Sequence, residues 1–550
     1  MDGLPGRPMA MLPALAAGLA AFLAAAGSLA RETGETPGLF DTSRECMACH
    51  NGLTGPAGES IAIGADWRGS MMANSARDPY WQGTVRRETM DHPGAVAAIQ
   101  HECSICHMPM AHVTARTAGA RGQVFAHLPP GGGGDQDDLA TDGVSCTVCH
   151  QVLPDNFGQR SSLVGGFLVD TRTPRGRRSV FGPFAVDQGR TRIMQSSSRY
   201  EPKEGPHIRE SALCGTCHTL YTHSLGPGGE VVGELAEQMP YLEWLHSGYR
   251  DESGCPSCHL KAVGGAVAVS SVWGKPREGV MQHVFRGGNF LVPRILNRHR
   301  VDLGVEALPG ELEATAERTL ARLQTEAARL DLEGLRIDDG RLEVAVHVRN
   351  LAGHKLPTAY PSRRAWIHLR VLDAGGRTVF ESGRPRPDGS IEGNDNDRDP
   401  QAWEPHHATI DSPDQVQVYE PILGSPDGRV TTGLLTATQY LKDNRLLPEG
   451  FDKATAGPDI RVAGAARQDD DFRDGGDRIV YRAPLEGFPG PYTVEAELRY
   501  QPIGYRWAHN LEETDADEPR RFVRQYDQAA GTASAILAAA RAQSRPPDSP

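Results

Sequence analysis

Residues 146–150 read Cys146-Thr147-Val148-Cys149-His150, and the chain repeats this C-x-x-C-H pattern four more times. The other copies are Cys46-Met47-Ala48-Cys49-His50, Cys103-Ser104-Ile105-Cys106-His107, Cys214-Gly215-Thr216-Cys217-His218 and Cys255-Pro256-Ser257-Cys258-His259. Together they account for all ten cysteines. Two thiols one helical turn apart, followed at once by an imidazole, form the attachment signature of c-type haem. The thiols add to the two vinyl groups of one porphyrin, and the adjacent histidine supplies the proximal nitrogen to iron.

Three plainer readings compete with this one. Ten cysteines in an exported chain can form five disulfides, but disulfides do not require histidine after every second cysteine. Zinc ribbons use C-x-x-C units two by two, and five units leave one over. Thioredoxin-like motifs occur singly beside a βαβ pattern. The fivefold repeat with histidine therefore predicts five covalently bound haems, packed into the stretch between Cys46 and His259. Porphyrins confined to so short a segment lie close together, as electron hopping needs.

At 550 residues the chain is too long for one core, so two or three domains are expected. A net charge of −13 excludes the basic footprint of a nucleic-acid binder. Aromatic residues are only 6%, while Gly (62) and Pro (40) are plentiful, so porphyrins must supply much of the filling of an irregular interior. Near the start, Arg7 precedes an apolar run from Met9 to Gly27, and Ser28-Leu29-Ala30 offers small residues at the positions a signal peptidase reads. Residues 1–30 are thus expected to be a signal peptide. An uncleaved anchor is the alternative, because the run is just long enough to span a bilayer. Haem attachment outside the cytoplasm agrees with export to the periplasm, with no membrane span in the mature chain.

Each iron has one further axial position. His112 stands five residues after His107, His207 seven before Cys214, His283 before a glycine pair, and His354 in a rigid Gly353–Thr358 loop; these four are the preferred histidine ligands. Met72 is the fifth candidate, because a thioether can also bind haem iron. His92, His101, His127, His223, His246, His299, His406 and His407 carry no such local context.

Over roughly residues 40 to 300 the chain resembles multihaem cytochromes of the cytochrome c-552/4 type, a group with tetrahaem electron carriers of nitrifying bacteria. Beyond the haem motifs, the resemblance rests on Trp67 to Ala73 with Asp78-Pro79, on Asp142-Gly143-Val144-Ser145-Cys146, and on His283 with Gly287-Gly288-Asn289. Such cytochromes often carry a distal histidine in a Trp-x-x-Ser-x-His-Ala stretch. Here Met72 occupies that place, which leaves the first haem's coordination open. The chain is also distantly similar to pentahaem nitrite reductases, but those place lysine in one motif. All five motifs here end in histidine, so nitrite reduction is not implied.

After residue 300 the pattern changes. Glu311 to Leu330 places Leu312, Ala316, Leu320, Leu323, Ala327 and Leu330 on one helical face, behind Pro309-Gly310. Alternation then sets in at Leu342, Val344, Val346 and Val348, again at Ile367, Leu369 and Val371, and last at Val494, Ala496, Leu498 and Tyr500. The expected fold is α+β: an irregular, mostly helical haem domain (31–300), a linker helix (301–334), a β-rich, sandwich-like antiparallel domain (335–530), and a helical or loose tail (531–550). The acidic run Asn394 to Asp399 lacks the glycine and distal glutamate of an EF-hand and reads as a solvated turn. The expected function is electron transfer with redox partner proteins, either other cytochromes or a quinone-oxidising complex. The alternative is an oxidoreductase acting on a small nitrogen or sulfur compound at one five-coordinate haem.

Overall fold

A computed structural model describes residues 38–130 and 134–545. The apolar run, the cleavage-like site and the final residues of the tail lie outside them. Asp78 and Pro79 open the first long helix. The Asp78 carboxylate accepts from Tyr80 N (2.9 Å) and Trp81 N (3.4 Å), and a proline at the first helical position loses no bond there. Helix α1 accordingly runs Pro79–Asp91, and α2 (Val96–His107) ends on the second motif's histidine. Most of the surrounding backbone is short turns, with a hairpin of Leu220–Leu225 on Val231–Gln238.

Helix α3 (Pro309–Glu326) begins where Pro309-Gly310 predicts and buries Leu312, Thr315, Ala316, Thr319 and Leu323. It ends earlier than its apolar period implies. Leu330 belongs to the following strand, β1 (Ala328–Asp338), where alternation keeps Ala328 and Leu330 buried. Strand β2 (Arg341–Asn350) pairs with β1, and Leu342, Val344, Val346 and Val348 are fully buried. Next come β3 (Arg364–Leu372), β4 (Thr378–Ser382), β5 (Thr409–Ile410), β6 (Val418–Tyr419), β7 (Gly476–Pro484) and β8 (Thr493–Gln501). Helix α4 (Asp517–Asp527) and strand β9 (Ala535–Gln543) follow.

The strands form two main sheets, ordered β5-β7-β2-β1 and β4-β3-β8-β9, with β6 also on β3. Apart from the parallel β5–β7 pair, their ladders are antiparallel. Register places Val346 opposite Ile479 in one sheet and Leu369 opposite Ala496 in the other. Both sheets send side chains into one continuous core, joined by Leu312 of α3 and Tyr80 of α1. The expected helical tail is corrected: Ala535–Gln543 is a strand on β8, because backbone pairing to an open sheet edge outweighs alanine's helix preference.

The acidic run is also corrected. Asp397 is buried, bridging both terminal nitrogens of Arg364 (2.7 and 3.0 Å) and accepting from Ile391 N, so this carboxylate braces the sheet from inside. From Phe40 onward the described residues form one compact unit. Helix α4 lies on α1, where Arg86 makes two bonds to Glu518 (2.9 and 2.8 Å) and Phe522 meets the Tyr80 ring at 4.9 Å. Among the described residues, no helix is long and apolar enough to cross a membrane.

Candidate cofactor site

All ten cysteines and all five motif histidines line one cavity of about 1320 Å³. None of the ten cysteines is joined in a disulfide. Thiols of different motifs stand side by side: Cys46 with Cys146, Cys106 with Cys217, and Cys214 with Cys255. Cys149 lies near enough to Cys217 for its thiolate to be disfavoured by it. These neighbours join the five motifs into one cluster, first to third to fourth, with the second and fifth also on the fourth. The spatial order is therefore not the sequence order.

Two segments singled out in the sequence hold each other. Trp67 Nε1 donates to Val144 O (3.0 Å), and Val144 N donates to Met72 O (2.9 Å). Gly143 sits between them at φ +64°, where a Cβ would lie 2.5 Å from the Met72 carbonyl oxygen. Asp142 then accepts from Ser43 N and Ser43 Oγ, both at 2.7 Å, fastening the approach to the first motif beside the third.

Four motif histidines are oriented in the same way. Nδ1 of His50 donates to Val269 O (2.6 Å), of His107 to Ser75 O (2.9 Å), of His150 to Phe181 O (2.6 Å) and of His259 to Arg286 O (2.6 Å). A carbonyl on Nδ1 fixes the tautomer and leaves the Nε2 lone pair for a metal. Burial depresses the basicity of His107 to about 4 and of His259 to about 3, keeping both neutral in that form. The Trp81 ring stacks on His107 at 4.2 Å with 3° between planes, clamping its orientation further.

Two of these imidazoles face a second one. The ring centres of His150 and His283 are 6.3 Å apart with 22° between planes, and those of His259 and His354 are 6.2 Å apart with 30°. Two metal–imidazole bonds of about 2.0–2.1 Å, plus about 1.1 Å from nitrogen to ring centre on each side, also sum to about 6.3 Å. The residues of each pair would thus suit holding one metal ion between them. His354 Nδ1 donates to Lys355 O (2.9 Å), which leaves its Nε2 lone pair for a metal.

The other candidates fare differently. His207 Nε2 donates to Val152 O (3.0 Å), and its ring packs edge-on between Phe157 and Phe181. His112 bonds Ser104 Oγ through Nδ1 (2.9 Å) and lies beside His101. Neither is brought to a motif histidine. Met72 lies on the cavity wall, tied through its backbone to Val144 beside the third motif. Among the described residues, no imidazole faces His50, His107 or His218 as in the two pairs.

Sequence reading missed the carboxylates near the second motif. Glu88 lines the cavity, is 3% exposed and accepts from Leu434 N (2.8 Å), while its Oε2 accepts no hydrogen bond and lies 3.8 Å from His92 Nε2. Burial raises its carboxyl to about 7. The Tyr80 and Tyr360 rings meet edge-on at 5.7 Å nearby, and Glu237 stands near Cys103 and Cys106. Such groups are scattered in sequence, so no spacing signals them.

A separate cluster of His406, Asp469 and Asp477 has metal-like composition. Its hydrogen bonds argue against that use. Gln417 Nε2 (2.9 Å) and Asn444 Nδ2 (3.2 Å) both donate to His406 Nδ1, so Nε2 carries the proton and gives it to Asp469 Oδ2 (3.1 Å). Both amides are held in that orientation, since their oxygens accept from His407 N and Glu420 N.

No protein-family profile matches the chain, and no curated protein does. Among solved structures, the penta-heme cytochrome c552 from Thermochromatium tepidum has the same fold. The TM-score is 0.51 at 17% sequence identity, covering 92% of this chain and 100% of that one.

Proposed function

We propose that the chain is a multihaem c-type cytochrome that carries five covalently attached haems and transfers electrons between partner proteins outside the cytoplasm. The observation that carries this reading is the single cavity in which all five C-x-x-C-H motifs converge, with thiols of neighbouring motifs in contact. A fold shared with a penta-heme cytochrome supports it. Haem supplies one-electron redox chemistry in such a site, and its potential is set by axial ligands, hydrogen bonding and burial. The protein's part is to hold each ring and orient each imidazole. Carbonyls on Nδ1 would do this for four motif histidines, while His283 and His354 would each supply a further nitrogen to the third and fifth sites.

A second reading is favoured by the second motif. His107 has no facing imidazole, and the cavity beside it holds Glu88, Tyr80, Tyr360 and Glu237. A buried carboxyl with pKa near 7 and adjacent phenols are suited to passing protons to a small nitrogen or sulfur compound at an open axial position.

Low-temperature EPR of the oxidised holoprotein during a reductive titration tests both. Electron transfer predicts several low-spin haem signals that disappear reversibly over separate potentials. A chain that accepts no electrons contradicts it. A high-spin signal in the oxidised protein that is lost when nitric oxide is added is the result expected from the second reading, and a wholly low-spin spectrum contradicts it.

A further inference from the structure

A second cleft, of about 560 Å³, shares no lining residue with the cavity of the five motifs. It lies between the helix Leu291–Arg298, the loop that follows, the first turn of α3 and the end of α4. The short helix buries Leu291, Val292, Ile295 and Leu296 in the core. Its period then leaves Arg294, Asn297 and Arg298 together on the other face, and Arg300 joins them from the loop.

Against these three guanidiniums the cleft sets one carboxylate, Glu313. Among the described residues, none of the four is in an ion pair. Arg298 Nη1 donates to Gln528 O (2.8 Å) and Arg300 Nη1 to Ala307 O, which positions both guanidiniums without cancelling their charge. Arg294 makes no hydrogen bond to the described chain and rests 5.5 Å from the Phe290 ring centre. Of the acids in the adjoining segments, Glu306 is held by Arg44 and Arg77 (3.1 Å each), Asp527 lies beside His509 (3.7 Å), and Asp302 is exposed. Gln525 of α4 adds an independent reason. It is 4% exposed, its Oε1 is buried without a hydrogen bond, and its Nε2 donates to nothing in the described chain. A buried amide left unpaired is costly, and a ligand in the cleft would pair it.

Positive charge gathered on a chain of net charge −13 draws anions to this spot. Donors arriving from three separate segments suit the oxygens of a tetrahedral oxyanion. A carboxylate, with two coplanar oxygens, is satisfied by one guanidinium fork. The volume, within the about 300–1,000 Å³ of small-molecule sites, leaves room for an organic group on that oxyanion. We propose that the cleft binds a small phosphate monoester, with its phosphate on Arg294, Arg298, Arg300 and the Gln525 amide nitrogen. A hydroxyl of the ligand, on phosphorus or on the ester group, donates to Glu313, which sulfate cannot do. The site stands apart from the haem reading, so the failure of either leaves the other untouched.

Titration calorimetry on the holoprotein, at fixed ionic strength in phosphate-free buffer, tests this with inorganic phosphate and glycerol 3-phosphate. Both should bind, one per chain, and sulfate should bind about tenfold or more weaker for want of the hydrogen bond to Glu313. Arg294→Gln removes a guanidinium that no residue of the described chain bonds. It should leave the melting temperature unchanged and weaken both phosphates about tenfold or more. Gln525→Leu should also weaken them without lowering the melting temperature. No heat with either phosphate, equal binding of sulfate, or unchanged binding in both variants overturns the proposal. So does binding to phosphatidylglycerol vesicles without binding of the soluble phosphates, which would assign the cleft to a lipid surface.

Discussion

His354 joins the two halves of the chain at one atom. It follows β2 in the β-rich half, its Nδ1 donates to Lys355 O, and it faces the fifth motif's His259 at the separation of an axial pair. His354→Ala should therefore add about one high-spin haem to the EPR spectrum, reversed by added imidazole; an unchanged low-spin spectrum contradicts the pairing. His283 and His354 were singled out in the sequence because glycine and proline mark their loops. His112 and His207 were favoured by nearness to a motif in sequence; His207 gives its Nε2 to the Val152 carbonyl, whereas His112 bonds Ser104 through Nδ1 alone, the same arrangement that leaves Nε2 free on four motif histidines. At Gly288 the Tyr500 hydroxyl donates to the glycine carbonyl (3.0 Å), and a Cβ there would lie 2.7 Å from that hydroxyl. Away from the cavity, burial raises Asp477 to about 7, while Tyr419 OH donates to it (2.7 Å). An unfolded aspartate ionises near pH ~4, so the folded chain keeps a proton that the unfolded chain releases. That stabilisation is complete below about pH 4 and is lost as pH rises through about 7. Asp477→Asn keeps an acceptor for Tyr419 and removes the titration. The melting temperature of the parent relative to this variant should fall between pH 5 and 8, and a constant difference contradicts the assignment.

Elements were legible where period and punctuation agreed. The alternation at Leu342–Val348, Ile367–Val371 and Val494–Tyr500 gives β2, β3 and β8, and Pro309 gives the start of α3. The end of α3 was not legible, because Ala327 and Leu330 suit a helical face and an alternating strand equally. Strand β9 was hidden by its composition, since its pairing partner β8 is chosen by tertiary structure and alanine carries no strand signal. The Arg364–Asp397 pair links β3 to a loop that reads as solvent-exposed, and both side chains are under 5% exposed. Arg364→Leu leaves a buried carboxylate without its partner, so it should cost about 3–5 kcal/mol in thermal or denaturant unfolding. Arg364→Leu/Asp397→Leu should recover much of that. Equal losses in the single and double variants would place the cost in packing instead.

At the scale of the whole molecule, α3, the loop that follows β2 and the end of β8 wall the cavity lined by the five motifs on the side of the β-rich half. The low aromatic content and the many glycines and prolines belong to a chain whose interior is built around that cavity. What the sequence could not supply was the spatial order of the motifs, because Cys46 meets Cys146 and Cys106 meets Cys217 only through long-range folding. The central claim is that all five motifs carry haem through thioether bonds. Intact mass measured under denaturing conditions on the chain expressed with haem-attachment machinery tests this most directly. The account predicts the polypeptide plus five haem groups, resistant to acid–acetone extraction. A mass of the polypeptide alone, or with fewer haems, would contradict it.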